Sequence, residues 1–186
     1  MSENLPPPVI NSWCRTKGGE EEKFTFAWTI EKFSERQEQN GQSLCSSKFT
    51  ISGPNDMETH WKLKVFPKGN KKECKEFLSI FLVNETEANV TAKSRFYILG
   101  SSNSIQDRIP FHSDSVHMFD STSDWGFSQF LKLTTIKDES SELLPNGNLT
   151  LVCDVTVLGP NTTEAEPSTL PKPCQKVKLE EDFLKI

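Results

Sequence analysis

The chain carries the residue types of a hydrolytic triad in adjacent positions, at His112, Ser113 and Asp114. A working triad brings these types together from separate elements, and neighbours on a strand point to opposite faces. Imidazole and carboxylate recur nearby at His117 and Asp120, but this spacing matches no metal-binding motif. We therefore interpret the segment as polar surface, and we expect no catalytic site, no metal site and no cofactor.

A second candidate is the aromatic stretch SDWGFSQF. Trp125 and Phe127 are two apart and share a face of a strand, whereas Phe130 faces the other way unless the chain turns after Phe127. The aromatics can belong to the core, or they can floor a shallow groove. Asp124 and Gly126 favour the groove slightly, because a carboxylate accepts hydrogen bonds and a glycine lets another backbone approach closely.

The composition of the chain limits the domain count and the classes of partner that it can bind. A chain of 186 residues with 34% hydrophobic residues fits one domain with tails and one core. The net charge of -5 argues against strong non-specific nucleic-acid binding, because phosphate contacts need clustered Lys and Arg. No run reaches the roughly 20 apolar residues that span a bilayer. We expect neither a nucleic-acid nor a membrane partner.

The elements that must position the candidates are short strands. In FTFAWTI, large apolar residues alternate with Thr and Ala, which places them on one face of a strand. Turn-forming Gly, Pro and Asn separate the apolar runs, and 126–144 alone hints at a helical turn. This pattern predicts an all-β antiparallel sandwich. The strands predicted in this way are 24–30, 61–66, 77–83, 93–99 and 149–158.

Four segments follow from composition. Residues 1–20 are polar and Pro-containing and predict a mostly disordered lead-in, and 21–158 hold the alternating strands. Residues 159–175 are rich in Pro, Thr and Glu, which predicts a flexible linker. In 176–186 apolar residues return at a spacing of four, which suits the start of a helix that leads towards a second domain absent from this chain.

The cysteines and the glycosylation sequons point to different compartments. Five widely spaced cysteines without a CxxC pair favour reduced thiols over a zinc site or a disulfide framework. Four N-x-S/T sequons, at Asn84, Asn89, Asn148 and Asn161, would accept glycans in a secreted chain. The N-terminus MSENLPPPVI lacks the features of a signal peptide. We expect a nuclear or cytoplasmic protein, and a secreted N-glycosylated β-sandwich binding protein is the alternative.

Four motifs in order give the chain a resemblance to a known family. FTFAWTIEKFS, HWKLKVFPKG, DWGFSQF and LLPNGNLTLVCDVTVL resemble the MATH (meprin and TRAF homology) domain. More narrowly, the chain resembles the speckle-type POZ protein branch, in which a BTB domain follows. VINSWCRTK and, more weakly, CQKVKLEEDFLKI are similar to the segments that flank the domain in that branch. The resemblance implies an eight-stranded antiparallel TRAF-like β-sandwich.

The resemblance also implies a peptide-binding groove. Ser113, Asp124, Trp125, Gly126 and Phe127 match the family's residues at its groove positions. The remaining positions depart from the family. These are Lys64 in place of an arginine, Phe81 and His117 in place of tyrosines, Ser94 in place of a phenylalanine, and Ser123 and Ser128 in place of lysines. The departures imply altered peptide preference and less attraction to acidic or phosphorylated flanks.

In the family, the groove takes a nonpolar residue, a polar residue, Ser and then two Ser/Thr, and the BTB domain recruits a cullin-type ubiquitin ligase. The resemblance thus implies a non-enzymatic substrate receptor that binds substrate proteins through short linear peptides. Without a BTB domain the chain would be a MATH-only competitor of longer relatives, and we expect it to be a monomer.

Overall fold

The computed structural model describes residues 13–101, 109–138 and 142–166. Residues 19–160 form one compact unit, and the two ends of the chain form a second. Among the described residues, the strands are β1 (Trp13–Lys17), β2 (Glu21–Ile30), β3 (Leu44–Cys45), β4 (Phe49–Ser52), β5 (Glu58–Phe66), β6 (Phe77–Asn84), β7 (Val90–Leu99), β8 (Ile109–Phe119), β9 (Asp124–Lys132), β10 (Leu149–Leu158) and β11 (Thr162–Glu166). One short α-helix, α1 (Leu133–Lys137), follows β9.

Two antiparallel sheets make up the larger unit. One has the order β2-β10-β7-β8, and the other has the order β3-β5-β6-β9 with β4 also paired to β5. Since β3 pairs with Val65 and Lys64, and β4 pairs with 58–61, β3 and β4 lie end to end along one edge of β5. Counted as one interrupted strand, they give eight strand positions among the described residues of the larger unit, which confirms the predicted all-β sandwich.

The core lies between the two sheets and is built by alternation. In β5 the side chains of Trp61, Leu63 and Val65 are fully buried, while the residues between them are partly exposed. Aromatic contacts join the sheets, because Trp61 on β5 meets Phe119 on β8 edge to face with ring centroids 5.0 Å apart. Burial of each large apolar side chain contributes about 2 kcal/mol to folding.

Both strands at the open side of the sandwich carry irregular pairing. Between Ala92 and Ser94 of β7, the register on β8 moves from His117 to Ser113. Between Leu78 and Ile80 of β6, the register on β9 moves from Leu131 to Phe127. Each irregularity inserts extra residues into the edge strand, which bends that strand and changes the direction of its side chains.

The bulge in β9 explains the aromatic spacing of SDWGFSQF. Strict alternation would turn Phe130 away from the face that Phe127 occupies. Because the extra residues follow Phe127, Phe130 instead enters the core and is fully buried. Its ring centroid lies 6.3 Å from that of Phe96 on β7. The structure therefore places Phe130 in the core, and the chain does bend after Phe127.

The ends of the chain differ in part from the predicted lead-in and linker. β1 lies within the predicted lead-in at 1–20, β11 lies within the predicted linker at 159–175, and the two pair as an antiparallel ribbon. Composition alone did not predict this pairing, because Pro, Thr and Glu together indicated a flexible linker. Thr is β-branched, however, and favours strands even in a Pro-rich segment. Thr16 and Thr163 are opposite each other, with hydroxyl oxygens 3.2 Å apart. Residues 1–12 and 167–186, including the predicted helix start, lie outside the described residues.

Three of the five cysteines, Cys45, Cys74 and Cys153, are free thiols. Cys45 is exposed, whereas Cys74 and Cys153 are buried. Burial raises the pKa of the Cys153 thiol, so this sulfur stays protonated and unreactive. None of the helices within the described ranges is long and apolar enough to cross a membrane.

Candidate functional site

The predicted site residues are distributed over both sheets. Ser123 lies in the turn that precedes β9, and Asp124, Trp125, Gly126, Phe127 and Ser128 lie on β9 itself. Lys64 is on β5 and Phe81 on β6. Ser94 is on β7, and Ser113 and His117 are on β8. β8 and β9 are the last strands of their sheets, so the site spans the open side of the sandwich.

A ring stack joins the two sheets at this side. The imidazole of His117 lies nearly parallel to the indole of Trp125, with ring centroids 4.0 Å apart and an interplanar angle of 19°. Trp125 remains 44% exposed, although its strand position opposite Leu82 faces inward. It is exposed because β9 is the edge of its sheet, and His117 stacks on one face of the ring. A large aromatic surface is thus available to a ligand.

Phe127 lies deeper beside the stack. Its half-buried ring meets Phe96 of β7 edge to face at 6.0 Å and lies 6.4 Å from Phe130. Phe127 therefore connects the exposed Trp125 to the core. The arrangement fits a shallow hydrophobic floor whose outer part is Trp125 and whose inner part is Phe127.

A row of paired residues crosses the β3-β5-β6-β9 sheet towards its β9 edge. Lys64 is opposite Phe81, and Phe81 is opposite Gly126. Phe81 is only partly buried while its neighbour Ile80 is fully buried, so its ring points away from the core as alternation predicts. Phe66 supports the row, since its ring meets Phe81 edge to face at 5.9 Å and the Lys64 Nζ lies 5.3 Å from its centroid.

We give the name edge surface to both faces of β9 at this side: the inner face carries Trp125 and Phe127, with His117 stacked on Trp125, and the outer face carries Gly126 at the end of the row Lys64 and Phe81. It combines aromatic rings with one ion pair, in which the Lys64 Nζ lies 3.7 Å from the Asp124 Oδ2. No group of three or more His, Cys, Asp or Glu in the described ranges is placed to hold a metal ion. The edge surface offers apolar contact and hydrogen bonding to a ligand.

Gly126 is required by a close approach within the chain. A Cβ at this position would lie 2.0 Å from the Ile80 carbonyl oxygen and 2.6 Å from the Phe81 Cα. Real Cβ atoms do not come so close to backbone, so any side chain would push β9 away from β6. The backbone that this glycine admits is that of β6, and the row from Lys64 to the edge depends on it.

Three predicted serines are buried or take part in hydrogen bonds within the chain. Ser94 is 7% exposed and lies opposite Val155 of β10 and Ser113 of β8, beneath the surface. The Ser123 hydroxyl donates to the Asp120 carbonyl oxygen at 2.9 Å and serves the turn. The Ser128 carbonyl oxygen accepts a hydrogen bond from the Ser79 hydroxyl at 2.6 Å, which holds the bulge.

A second ion pair involves Lys62, which lies two residues before Lys64 on β5. The ammonium of Lys62 donates to the carboxylate of Glu85, and Lys48 lies 3.8 Å from the same carboxylate. The hydrogen bond lowers the pKa of Glu85 and raises the pKa of Lys62. Both groups therefore stay charged over a wide pH range, and they fix the start of the segment that follows β6.

Sequence reasoning missed two residues that shape the site. Phe66 shares a face with Lys62 and Lys64 in the alternation of WKLKVF, and that pattern could have identified it. Asn84 gives no such signal, because an asparagine in an N-x-T sequon suggests a surface loop. It is fully buried, and its side chain donates to backbone carbonyls of the β8–β9 connection.

Comparisons with known proteins agree with this architecture. The family model described as the MATH domain matches residues 25–155, which is more than half of the chain. Among solved structures, Notothenia coriiceps TRAF5 is similar, with a TM-score of 0.50 and 16% sequence identity over 81% of this chain and 77% of that chain. At this identity, the likeness shows a shared TRAF-like fold.

Proposed function

Because this chain belongs to the MATH domain family, we propose that it binds short extended segments of other proteins on the edge surface. MATH and TRAF domains are protein-interaction modules and generally not enzymes, and this chain is such a module. The observation that carries the proposal is the exposed indole of Trp125 at the open side of the sandwich. An extended segment there gains main-chain hydrogen bonds from an edge strand and apolar contact from the rings.

The segments that we propose as ligands have a nonpolar residue, a polar residue, Ser and then two Ser/Thr. The nonpolar residue would pack on Trp125 and Phe127, where the apolar floor is deepest. The hydroxyl-bearing residues would lie towards Lys64 and Asp124, whose side chains donate and accept hydrogen bonds. Affinity is expected to be micromolar, because a short peptide loses conformational freedom on binding.

The wider role that we propose is substrate recruitment. Within a longer protein that carries a BTB domain, the edge surface would deliver bound proteins to a cullin-type ubiquitin ligase, in the nucleus or the cytoplasm. The chain on its own would bind the same segments as a monomer and compete with longer relatives. This role rests on the resemblance to the speckle-type POZ protein branch.

The alternative of a secreted glycoprotein meets a structural obstacle at Asn84. Its Nδ2, the atom that would carry a glycan, is buried and bonded to three carbonyl oxygens. Asn89 and Asn161 are exposed, so two sequons are open to modification by exposure alone. Mass spectrometry of protein from its native source distinguishes the two readings, because a glycan mass on Asn89 or Asn161 would favour the secreted one.

The test of peptide binding is a fluorescence-anisotropy titration with a labelled peptide of the stated class. Trp125→Ala is expected to weaken binding about 30-fold, which corresponds to about 2 kcal/mol for a buried anchor. Met118→Ala is the matched control: this exposed residue neighbours His117 on β8, and adjacent strand residues point to opposite faces. The control is expected to bind within about 2-fold of wild type.

Two results would overturn the proposal. Wild-type protein that binds no peptide of the class would exclude the ligand chemistry. Equal loss in both variants would exclude the location. Circular dichroism of each variant establishes that the sandwich is intact.

A further inference from the structure

Asn84 is the last residue of β6 and is fully buried. Its Nδ2 donates to the carbonyl oxygens of Ala88 at 3.0 Å, Phe119 at 3.3 Å and Asp120 at 3.1 Å. Its Oδ1 accepts from the backbone N–H of Thr86 at 2.9 Å. The carboxamide therefore uses both its donors and its acceptor, and it does so entirely on backbone groups.

The segments that Asn84 connects are the two ends of the β8–β9 turn. Its side chain binds the end of β8 at Phe119 and Asp120. Its backbone N–H donates to the Ser123 carbonyl oxygen at 2.9 Å, directly before β9. One residue thus holds the turn from both sides.

The turn needs this support because its geometry is costly. Thr122 has a φ of 65°, which lies in the left-handed region that β-branched residues rarely adopt. Inside the turn, the backbone N–H and hydroxyl of Ser123 both donate to the Asp120 carbonyl oxygen. Asn84 supplies a further donor to that same oxygen, from outside the turn.

The geometry of the β8–β9 turn determines how the two stacked rings lie relative to each other. His117 precedes Phe119 by two residues, and Trp125 follows Ser123 by two residues. Each ring is therefore only two residues along its strand from a backbone group that Asn84 holds. We propose that Asn84 is the positioning residue of the edge surface, holding the β8–β9 turn so that His117 and Trp125 stay face to face. Its part in peptide binding rests on the proposed function, whereas its part in ring geometry does not.

The chemistry of the contact identifies the variant to test. Asn84→Asp keeps the size and shape of the side chain but replaces two N–H donors with a carboxylate oxygen that faces three carbonyl oxygens. The turn then loses its outside donor and is repelled. Asn89→Asp is the matched control, since it makes the same change in the next sequon on an exposed side chain.

The readout is the chemical shift of the His117 ring protons in the free protein, measured by NMR. An indole face at 4.0 Å shifts these protons upfield in the wild type. We expect Asn84→Asp to return them to the values of an unstacked imidazole, while core methyl signals of Leu63 and Ile98 keep their dispersion. Asn89→Asp is expected to retain the upfield shift. Peptide affinity should fall about tenfold in the first variant, by loss of one ordered anchor, and stay unchanged in the second.

An upfield His117 shift retained in Asn84→Asp would overturn the inference, whatever the peptide result. If that variant does not fold, Asn84→Ser, which keeps one donor, is measured in the same way and has the same two outcomes. Failure of the proposed function is recognised separately, because wild-type protein would then show the ring shift but bind no peptide.

Discussion

The His117 imidazole and the Trp125 indole lie face to face, 4.0 Å apart, and each comes from the edge strand of a different sheet. At this stack, side chains from both sheets come together at the exposed open side of the sandwich. Trp125 stays 44% exposed in this stack, and the shape of the edge surface depends on the ring at position 117.

Exchange of His117 for Tyr is expected to strengthen binding of the peptide class. A phenol ring offers more apolar area against Trp125 and adds a hydroxyl that can bond to a ligand, with a gain of about 1 kcal/mol or 5-fold in affinity. His117→Ala should bind more weakly than wild type. Anisotropy titrations of the three proteins give the order of affinities, and an Ala variant as tight as wild type would remove position 117 from the site.

A methyl group at Gly126 is expected to destabilise the fold. Since the added Cβ would lie 2.0 Å from the Ile80 carbonyl oxygen, β9 must move away from β6. We expect Gly126→Ala to lower the free energy of unfolding by about 2 kcal/mol or more, as overpacking does elsewhere. Urea denaturation measures this loss. Gly18→Ala serves as control because its Cβ would meet nothing within 4 Å, and equal stability of both variants would contradict the close approach.

Phe130 and Phe127 are expected to separate stability from binding. Phe130 is fully buried, so Phe130→Ala should cost about 3–5 kcal/mol of unfolding free energy. Phe127 is half-buried, so Phe127→Ala should cost about half as much unfolding free energy. The same substitution should abolish detectable peptide binding. The checks are urea denaturation and anisotropy on the same preparations. If Phe127→Ala binds peptide normally, the floor of the edge surface lies elsewhere.

Acid is expected to remove the contribution of the Lys62–Glu85 pair. Since the hydrogen bond from Lys62 lowers the pKa of Glu85, the pair stabilises the folded state above the unfolded carboxyl pKa and loses that effect as pH falls through the folded value. The raised pKa of Lys62 means that the contribution is also lost as pH rises through that folded value. Glu85→Gln should therefore cost about 0.5 kcal/mol of unfolding free energy at pH 7 and less than that at about pH 3.

Urea denaturation at the two pH values measures this difference. Glu87→Gln, two residues further along at an exposed position, removes the same charge and should have little effect at either pH. A cost of Glu85→Gln that persisted undiminished in acid would show that shape, not charge, holds the pair.

The sequence predicted most of the fold because strands with one buried face repeat every two residues. β5 shows that period without interruption, β6 and β10 show it with additional buried positions, and the structure has all three where the alternation placed them. The bulges in β8 and β9 were not predictable, because the extra residues depend on pairing with distant strands. The position of Phe130 followed from such a bulge and not from its spacing.

Some candidate residues of the site can be read from the sequence, and others cannot. Trp125 and Phe127 stand out as paired aromatics, and alternation with the buried Ile80 is enough to point Phe81 away from the core. Ser94 could not be recognised as buried, since its strand position is polar. Asn84 could not be found at all, because its partners are backbone carbonyls 4 to 36 positions away along the chain.

The interruption between β3 and β4 has a consequence for the behaviour of the protein in concentrated solution. An unbroken nine-residue strand beside β5 would offer a long, flat row of free backbone groups to other molecules. The actual border consists of strands of two and four residues, and Ser46 folds back onto the backbone of Leu63 between them. Short, discontinuous borders are poor templates for amyloid-like stacking, so this edge of the β3-β5-β6-β9 sheet resists strand-to-strand aggregation.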